Sequence, residues 1–561
     1  MEKLKRLWRG STDLAGFLVL TCAIITGIVV STLTLPFNID TLNDEGFHFL
    51  TLQRALSGHI DGSSQWASIV AAVLGEKICR SVLSLRIVSF CLTIATALIF
   101  FALTHRIAAT HDKARYLIVI LFFSLPTLGG IMICYNEVSQ LLLVVSCATL
   151  YRACYDTSRA TPAIWAGTTG LLAGLSLFSI LPSTLIIIAS AVLLITIRYW
   201  KRWPWLFLYL ASLAFGICLA LLVFHFFVAD LNAVFAQMKS TAQTITTLER
   251  SYDPLSFIVG IVLFLRDFAF CALMITGISL LTAKLAKWSK PTALIIYIVG
   301  VVLYSVYQKK PCVTTAMLAA LLWLQPLIEQ ANAQQGIKAK DLFTFRNIMT
   351  LFLIVFPLLA SIGTNVYIGK KMSFFLIPWA LILWHIDFRK NDPLLRNGGM
   401  IAIALILSLS FCHPARSIIH SQHRIETGGL AGMYMNPVQY EHLGTVDSIA
   451  LQYGFKRDSS VVFCTQLSMT TLIYMGGVPC GLYFQPMDFA AKAGDDTPTP
   501  DFLFLTQYDK QVAGEKIKEM GWGWPDEFDE HYVGSPDPLD VGYSTERWLY
   551  CRRQTERPEC E

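Results

Sequence analysis

Long apolar runs broken by short polar segments recur along the chain as far as residue 413, without the strict alternation of half-buried strands. They predict about thirteen membrane-spanning helices, near 14–35, 83–104, 115–131, 138–153, 163–181, 183–199, 204–228, 256–281, 291–307, 312–328, 347–363, 372–386 and 399–413. At 1.5 Å per residue, roughly 20 apolar residues cross a hydrocarbon core of ~30 Å. The runs 138–153 and 372–386 are short for that task. A basic stretch, MEKLKRLWRG, precedes the first run and no small-residue cleavage site follows it, so it reads as an uncleaved span.

Three intervening or trailing segments are too long to be turns. Residues 36–82 hold two mixed polar and apolar helical stretches, one around Phe47, Leu50 and Leu56 and one over Trp66–Ile78, both suited to the membrane interface. Residues 229–255 form a similar segment. The third is the tail, 414–561, where Val461–Cys464 and Phe502–Leu505 read as buried strands, Lys510–Met520 as a helix and Arg547–Arg552 as a final strand. The predicted fold is a mainly α polytopic bundle over 1–413, with interfacial helices in its first outer loop and a small extracytoplasmic α/β domain over 414–561.

Composition and charge turn this pattern into an orientation. Hydrophobic residues make up 54% of the 561 and charged ones only 15%, well below the roughly 25% of soluble domains. From residue 414 there are 21 acidic and 12 basic residues, a net of −9, which leaves 32 basic and 18 acidic residues before it, a net of +14. With the N-terminus cytoplasmic, every inner loop is basic, through Arg106, Lys113 and Arg115, Arg152 and Arg159, Arg198, Lys201 and Arg202, and so on to Arg396. The outer connections 127–137 and 181–183 have neither Lys or Arg. That is the positive-inside pattern of a multi-pass protein of the inner (plasma) membrane, with the acidic tail outside. The basic residues form no patch, so nucleic acid is not a partner. Of the fourteen cysteines, Cys464, Cys480, Cys551 and Cys560 lie in the tail, where oxidation is open to them and no zinc spacing appears.

Chemistry is sought among outward-facing acids. Asp44-Glu45 opens the first interfacial helix, and a carboxylate there is placed to act as general base on an attacking hydroxyl or amine. Glu137, after Tyr135-Asn136, lies at the outer start of the fourth span. Each alone also reads as helix capping, Asp44 or Asn136 being the cap; their convergence on one side is what capping does not explain. Lys309-Lys310, Lys370-Lys371 and Arg54 are the outer cations available to a phosphate, against a plain reading as lipid-headgroup contacts. His48 and His59 have no partner at metal spacing, and GxSxG, HExxH, Walker A and GxGxxG motifs are absent in suitable contexts.

These features resemble the type C (GT-C) glycosyltransferase superfamily, which includes lipid A aminoarabinose transferases and protein O-mannosyltransferases. Asp44-Glu45 with Phe47, Arg54 and Gly58 is similar to the family's D-E-x-x-[YF] stretch. Asn136-Glu137 before a span ending in Tyr151-Arg152-Ala153 resembles its second acidic site, although the family often has Asp there. The stretch Gly363–Tyr367, through Lys370-Lys371 to Leu376-Ile377-Pro378, is similar to its basic-aromatic entry into a late span. The plan of spans and tail is similar to the aminoarabinose-transferase branch. The resemblance implies a sugar on a polyprenyl-phosphate donor held among membrane lipid, and a lipid, glycan or protein acceptor. It implies Asp44 as base in an inverting in-line attack, Glu45 and Glu137 as orienting groups, and Lys370, Lys371, Lys309, Lys310 or Arg54 on the leaving phosphate. No nucleotide cofactor is expected; a divalent cation would accompany a pyrophosphate donor, but no ligand set stands out. A flippase of a lipid-linked saccharide would need polar residues along a transmembrane path, and a non-catalytic envelope scaffold would leave the acids as caps.

Overall fold

The computed structural model describes residues 2–37, 42–58, 65–108, 113–127, 132–156, 160–236, 254–285, 288–307, 344–362, 371–385, 393–465, 468–483, 497–534 and 546–553, with a few isolated positions between them. Fourteen helices precede the tail among these residues: α1 (Glu2–Thr34), α2 (Leu42–Leu56), α3 (Gln65–Cys79), α4 (Val82–Ala108), α5 (Lys113–Ser124), α6 (Tyr135–Tyr155), α7 (Thr161–Ser176), α8 (Leu181–Tyr199), α9 (Trp203–Phe227), α10 (Pro254–Leu285), α11 (Lys290–Tyr307), α12 (Phe345–Leu359), α13 (Trp379–His385) and α14 (Pro393–His420). Among the described residues, five segments, in α1, α4, α6, α8 and α9, are long and apolar enough to cross a membrane. The α9 helix shows why a bilayer is needed. Phe215, Phe226 and Phe227 are 69%, 73% and 77% exposed, a greasy face that water would penalise and lipid would not.

Of the spans read from the sequence, the run at 312–328 lies outside the described residues, and the run at 115–131 passes from α5 into a 3-10 turn over Leu125–Thr127, with 128–131 outside the described residues. The 372–386 run breaks into a 3-10 turn over Ser373–Phe375 and the seven-residue α13, with Pro378 between them. Proline has no N–H to donate and its ring clashes with the preceding turn, so an apolar run that includes it need not be one helix. Conversely the α14 helix continues to His420, past the end of its apolar run at 413.

The tightest helix pair is α7 against α9. A Cβ on Gly170 would lie 2.0 Å from the Leu213 carbonyl oxygen, and one on Gly216 would lie 2.0 Å from that of Gly167. Small residues let the two backbones touch, which is how helices associate where no hydrophobic effect drives them together. Buried hydroxyls stitch the neighbouring seam: Thr149 to Thr169 at 2.8 Å, Ser139 to Ser179 at 2.9 Å and Thr184 to Ser176 at 3.0 Å.

The tail is an α/β unit. A five-stranded sheet runs in the order β4-β3-β5-β7-β6, with β3 (Val461–Cys464), β4 (Val478–Pro479), β5 (Phe502–Thr506), β6 (Phe528–Gly534) and β7 (Arg547–Arg552). The β3 strand is parallel to β4 and β5, and β7 is antiparallel to β5 and β6. Helices α15 (Pro437–Gln452), α16 (Met469–Met475) and α17 (Gln507–Glu519) flank it, after a short antiparallel pair, β1 (His423–Arg424) and β2 (Tyr434–Met435). Both strands read as buried, the final strand and the helix after β5 fall where the pattern placed them; β4, β6, α15 and α16 were not anticipated. Cys464, Cys480 and Cys551 are buried free thiols, and burial pushes Cys480 and Cys551 up to about 12, leaving them inert packing groups.

The tail sits on one end of the bundle. Met469, Leu472 and Ile473 of α16 share a hydrophobic core with Phe49, Leu50 and Leu52 of α2 and with Val82 and Leu85 at the start of α4. Tyr434 donates its backbone N–H to the Pro36 carbonyl at 2.8 Å, and its ring stacks on Phe37. The ends of α1 and the starts of α4 and α6 therefore meet beneath the tail. At the opposite end of α6, Arg152 lies over Trp165, and Arg198, from the end of α8, over Phe345.

Candidate functional site

The first acidic site lies on α2. This helix begins at Leu42, so Asp44 stands within its first turn and not at the cap position; its side chain is outside the described residues. Glu45 is 2% exposed and bound by Arg86 of α4, which is 1% exposed. Arg86 Nε donates to Glu45 Oε1 at 3.1 Å, and a second guanidinium nitrogen donates to Oε2. The remaining nitrogen donates to the Leu35 and Phe37 carbonyls, just past the end of α1, and the Met132 amide donates to Glu45 Oε1. Glu45 and Arg86 thus join the end of α1, α2, α4 and the segment before α6 in one buried knot. With both oxygens engaged by fixed donors, it holds the fold of this corner and has little capacity left to orient an acceptor.

The second acidic site has a different local logic. Cys134, in extended conformation, caps α6: the Asn136 amide donates to its Sγ at 3.5 Å, and Glu137 Oε2 reaches back to accept from the Cys134 amide at 2.8 Å. The cap is Cys134, two residues earlier than the Asn136 that the sequence suggested, and Glu137 completes a capping box. That occupies one carboxylate oxygen. The other, Oε1, is buried and has no hydrogen-bond partner among the described residues.

The two sites meet on one stretch of chain. Glu45 accepts from Met132 and Glu137 from Cys134, amides two residues apart and so within about 7 Å of each other. A cation joins them. Lys371, only 2% exposed, places its ammonium 4.0 Å from the centroid of the Tyr135 ring, and its charge acts on both Glu137 and His48. His48, one turn after Asp44, packs edge-on against Trp66 and Tyr135, at 5.5 and 5.7 Å between centroids. Burial, helped by the Lys371 charge, holds the imidazole down to about 4, so it is neutral at physiological pH.

The structure therefore brings Glu45, Glu137 and Lys371 together beneath the tail. Arg54 is half-buried at the other end of α2, nine residues and about 14 Å along the helix from Glu45. Lys309, Lys310 and Lys370 lie outside the described residues. Arg86, His48, Trp66 and Tyr135 were not singled out as site residues from sequence. Arg86 carried a usable signal, a single charge four positions into an apolar run, which is costly unless paired. Among the described residues no group of three or more His, Cys, Asp or Glu side chains is placed to hold a metal ion.

Arranged this way, the corner supplies a buried cation for an anionic ligand, a carboxylate oxygen with an unmade hydrogen bond, and aromatic walls. No family model matches the sequence, and no curated protein sequence does. Among solved structures, the chain is similar to the oligosaccharyltransferase of Archaeoglobus fulgidus, in a complex with zinc and sulfate, at 13% identity and a TM-score of 0.42, over 93% of this chain and 73% of that one. It is also similar to ArnT from Cupriavidus metallidurans, at 11% identity and a TM-score of 0.42 for the apo state, over 96% of this chain and 98% of that one. For ArnT bound to undecaprenyl phosphate the values are 12%, 0.44, 95% and 98%. Likeness at this level assigns no role to any residue.

Proposed function

We propose that the chain is a membrane glycosyltransferase that moves a sugar from a polyprenyl-phosphate donor to a lipid, glycan or protein acceptor at the outer face of the membrane. The observation that carries this reading is the pairing of a buried, unpartnered carboxylate oxygen on Glu137 with the buried Lys371 ammonium, on the corner where α2 presents Asp44. An unmade hydrogen bond on a buried carboxylate is costly, and a polar ligand at this corner is a group that would satisfy it.

In the proposed reaction the acceptor hydroxyl or amine attacks the anomeric carbon while the bond from that carbon to the phosphate oxygen breaks. The acceptor proton passes to the Asp44 carboxylate, and the electron pair of the broken bond leaves on the polyprenyl phosphate. Attack is in line, so the anomeric configuration inverts. Lys371 neutralises the leaving phosphate as its charge grows, with Lys370, Lys309 or Lys310 as further cations. Glu137 Oε1 accepts from the acceptor and aims it, while Glu45 is the strut that keeps α2 in place.

The test uses purified protein in lipid nanodiscs with a panel of polyprenyl-phosphate sugars and membrane-lipid acceptors, read by mass spectrometry. A new glycosidic bond, formed by the wild type and lost in Asp44→Asn at unchanged protein level, is the expected result. Translocation of lipid-linked saccharide with no new bond would make the chain a flippase, and retained envelope function in an Asp44→Asn, Glu137→Gln variant would make it a scaffold.

A further inference from the structure

His48 has no part in the chemistry above, yet it stands inside it. Positions 44 and 48 are one turn apart and share a face of α2. The His48 ring is fixed by three aromatic neighbours, Phe47, Trp66 and Tyr135, with interplanar angles of 71°, 82° and 68°. Its Nδ1 is buried and has no hydrogen-bond partner among the described residues. The Tyr135 ring that it touches also carries the Lys371 ammonium on its face. A polar nitrogen is thus held in a packed aromatic setting, buried and without a hydrogen-bond partner among the described residues, on the same Tyr135 ring as the buried Lys371 ammonium.

Elimination narrows what it binds. A phosphate would take the Lys371 ammonium, and a second cation at His48 would have to be charged against both burial and that lysine. An imidazole held down to about 4 is also too weak a base to accept a proton efficiently near neutral pH. A neutral imidazole does offer one donor and one acceptor, the complement of a neutral hydroxyl. Aromatic side chains beside it present apolar surface of the kind on which the C–H face of a sugar ring packs.

We infer that His48 reads the sugar of the donor, its Nδ1 hydrogen bonding to a ring hydroxyl while Lys371 holds the phosphate. His48 is a specificity residue in this scheme, and the inference rests on the donor assigned above.

The test measures binding to the full chain in nanodiscs of undecaprenyl phosphate alone and of the same lipid phosphate carrying glucose, mannose or arabinose. His48→Phe keeps the ring packing and removes both nitrogens; His48→Asn keeps a polar group where Nδ1 stands. For the sugar-lipid that the wild type prefers, His48→Phe should weaken binding about tenfold, the loss of one buried hydrogen bond, and His48→Asn should recover most of it. Bare undecaprenyl phosphate should bind both variants as it binds the wild type. Equal weakening for the bare and the sugar-bearing lipid, or none for either, would overturn the role of His48 and leave the transferase reading standing. A wild type that binds neither lipid would overturn both.

Discussion

Cutting the Glu45–Arg86 pair separates a strut from a catalytic group. Both side chains are almost completely buried, and Arg86 donates to Glu45 through two nitrogens and to two carbonyls beyond α1. In Arg86→Leu the carboxylate loses its counter-charge and keeps the Met132 amide, while the Leu35 and Phe37 carbonyls lose their donor. Breaking a buried pair by removing one partner costs about 3–5 kcal/mol, because the other charge is stranded. The unsatisfied carbonyls add about 1–3 kcal/mol where no water reaches them. Glu45→Leu strands the guanidinium in the same way. In the double variant neither charge remains, so it should be at least about 2 kcal/mol more stable than the sum of the two single losses. Thermal unfolding of nanodisc-embedded protein, followed by tryptophan fluorescence, reads all three variants against the wild type. Single variants that melt with the wild type but have lost sugar transfer would refute the strut and return Glu45 to the chemistry. A double variant that recovers stability but not transfer would give the pair a catalytic share as well.

Two further perturbations test the bundle and the tail. Gly216→Ala forces a methyl group onto the Gly167 carbonyl, which backbone on backbone cannot relieve by a rotamer change, so a loss at or above about 3 kcal/mol is expected; Gly444→Ala, on an open face of α15, should gain about 0.5–1 kcal/mol in the same unfolding assay. His442, buried with Nδ1 donating to the Val533 carbonyl at 3.0 Å, is held down to about 4 by burial first and the Arg547 charge second. The native state thus stays neutral where the unfolded chain, at about 6.5, takes up a proton. Its contribution is complete above pH 6.5 and falls by about 3 kcal/mol as pH drops toward 4; His442→Gln should flatten that slope, and an unchanged slope would refute the assignment.

Element type was legible because the apolar runs are long and continuous: α4, α6, α8 and α9 begin and end within a few residues of the runs that predicted them. Breaks were less so. Pro378 interrupts an apolar run that hydropathy sees as continuous, and α14 outlasts its run because a helix needs no apolar residues once it leaves the bilayer. In the site, residue type pointed to Glu137 and Lys371 but not to their partners. The Glu45–Arg86 pair spans 41 residues and two helices, a distance at which sequence spacing carries no information. The capping role of Cys134 was hidden for another reason: sulfur is a weak acceptor, and Asn136 two residues later is the better cap by type.

The tail bears on the site through α2. A Cβ on Gly46, the residue after Glu45, would lie 3.0 Å from the Met469 Cβ, and one on Gly429 would come within 2.9 Å of the Phe49 ring. A side chain at either position would crowd its neighbour, so α2 packs closely under α16 and the 425–435 loop while Arg86 holds it from the side. The backbone that carries Asp44 and His48 is therefore placed by two independent contacts, one from the bundle and one from the tail. If only the first existed, the interfacial helix would be free to roll about the Glu45–Arg86 pair and swing position 48 away from Tyr135 and Lys371. The tail is thus part of the site's geometry, and the acidic unit that reads as an appendage in sequence is the second anchor of the helix on which the proposed chemistry depends.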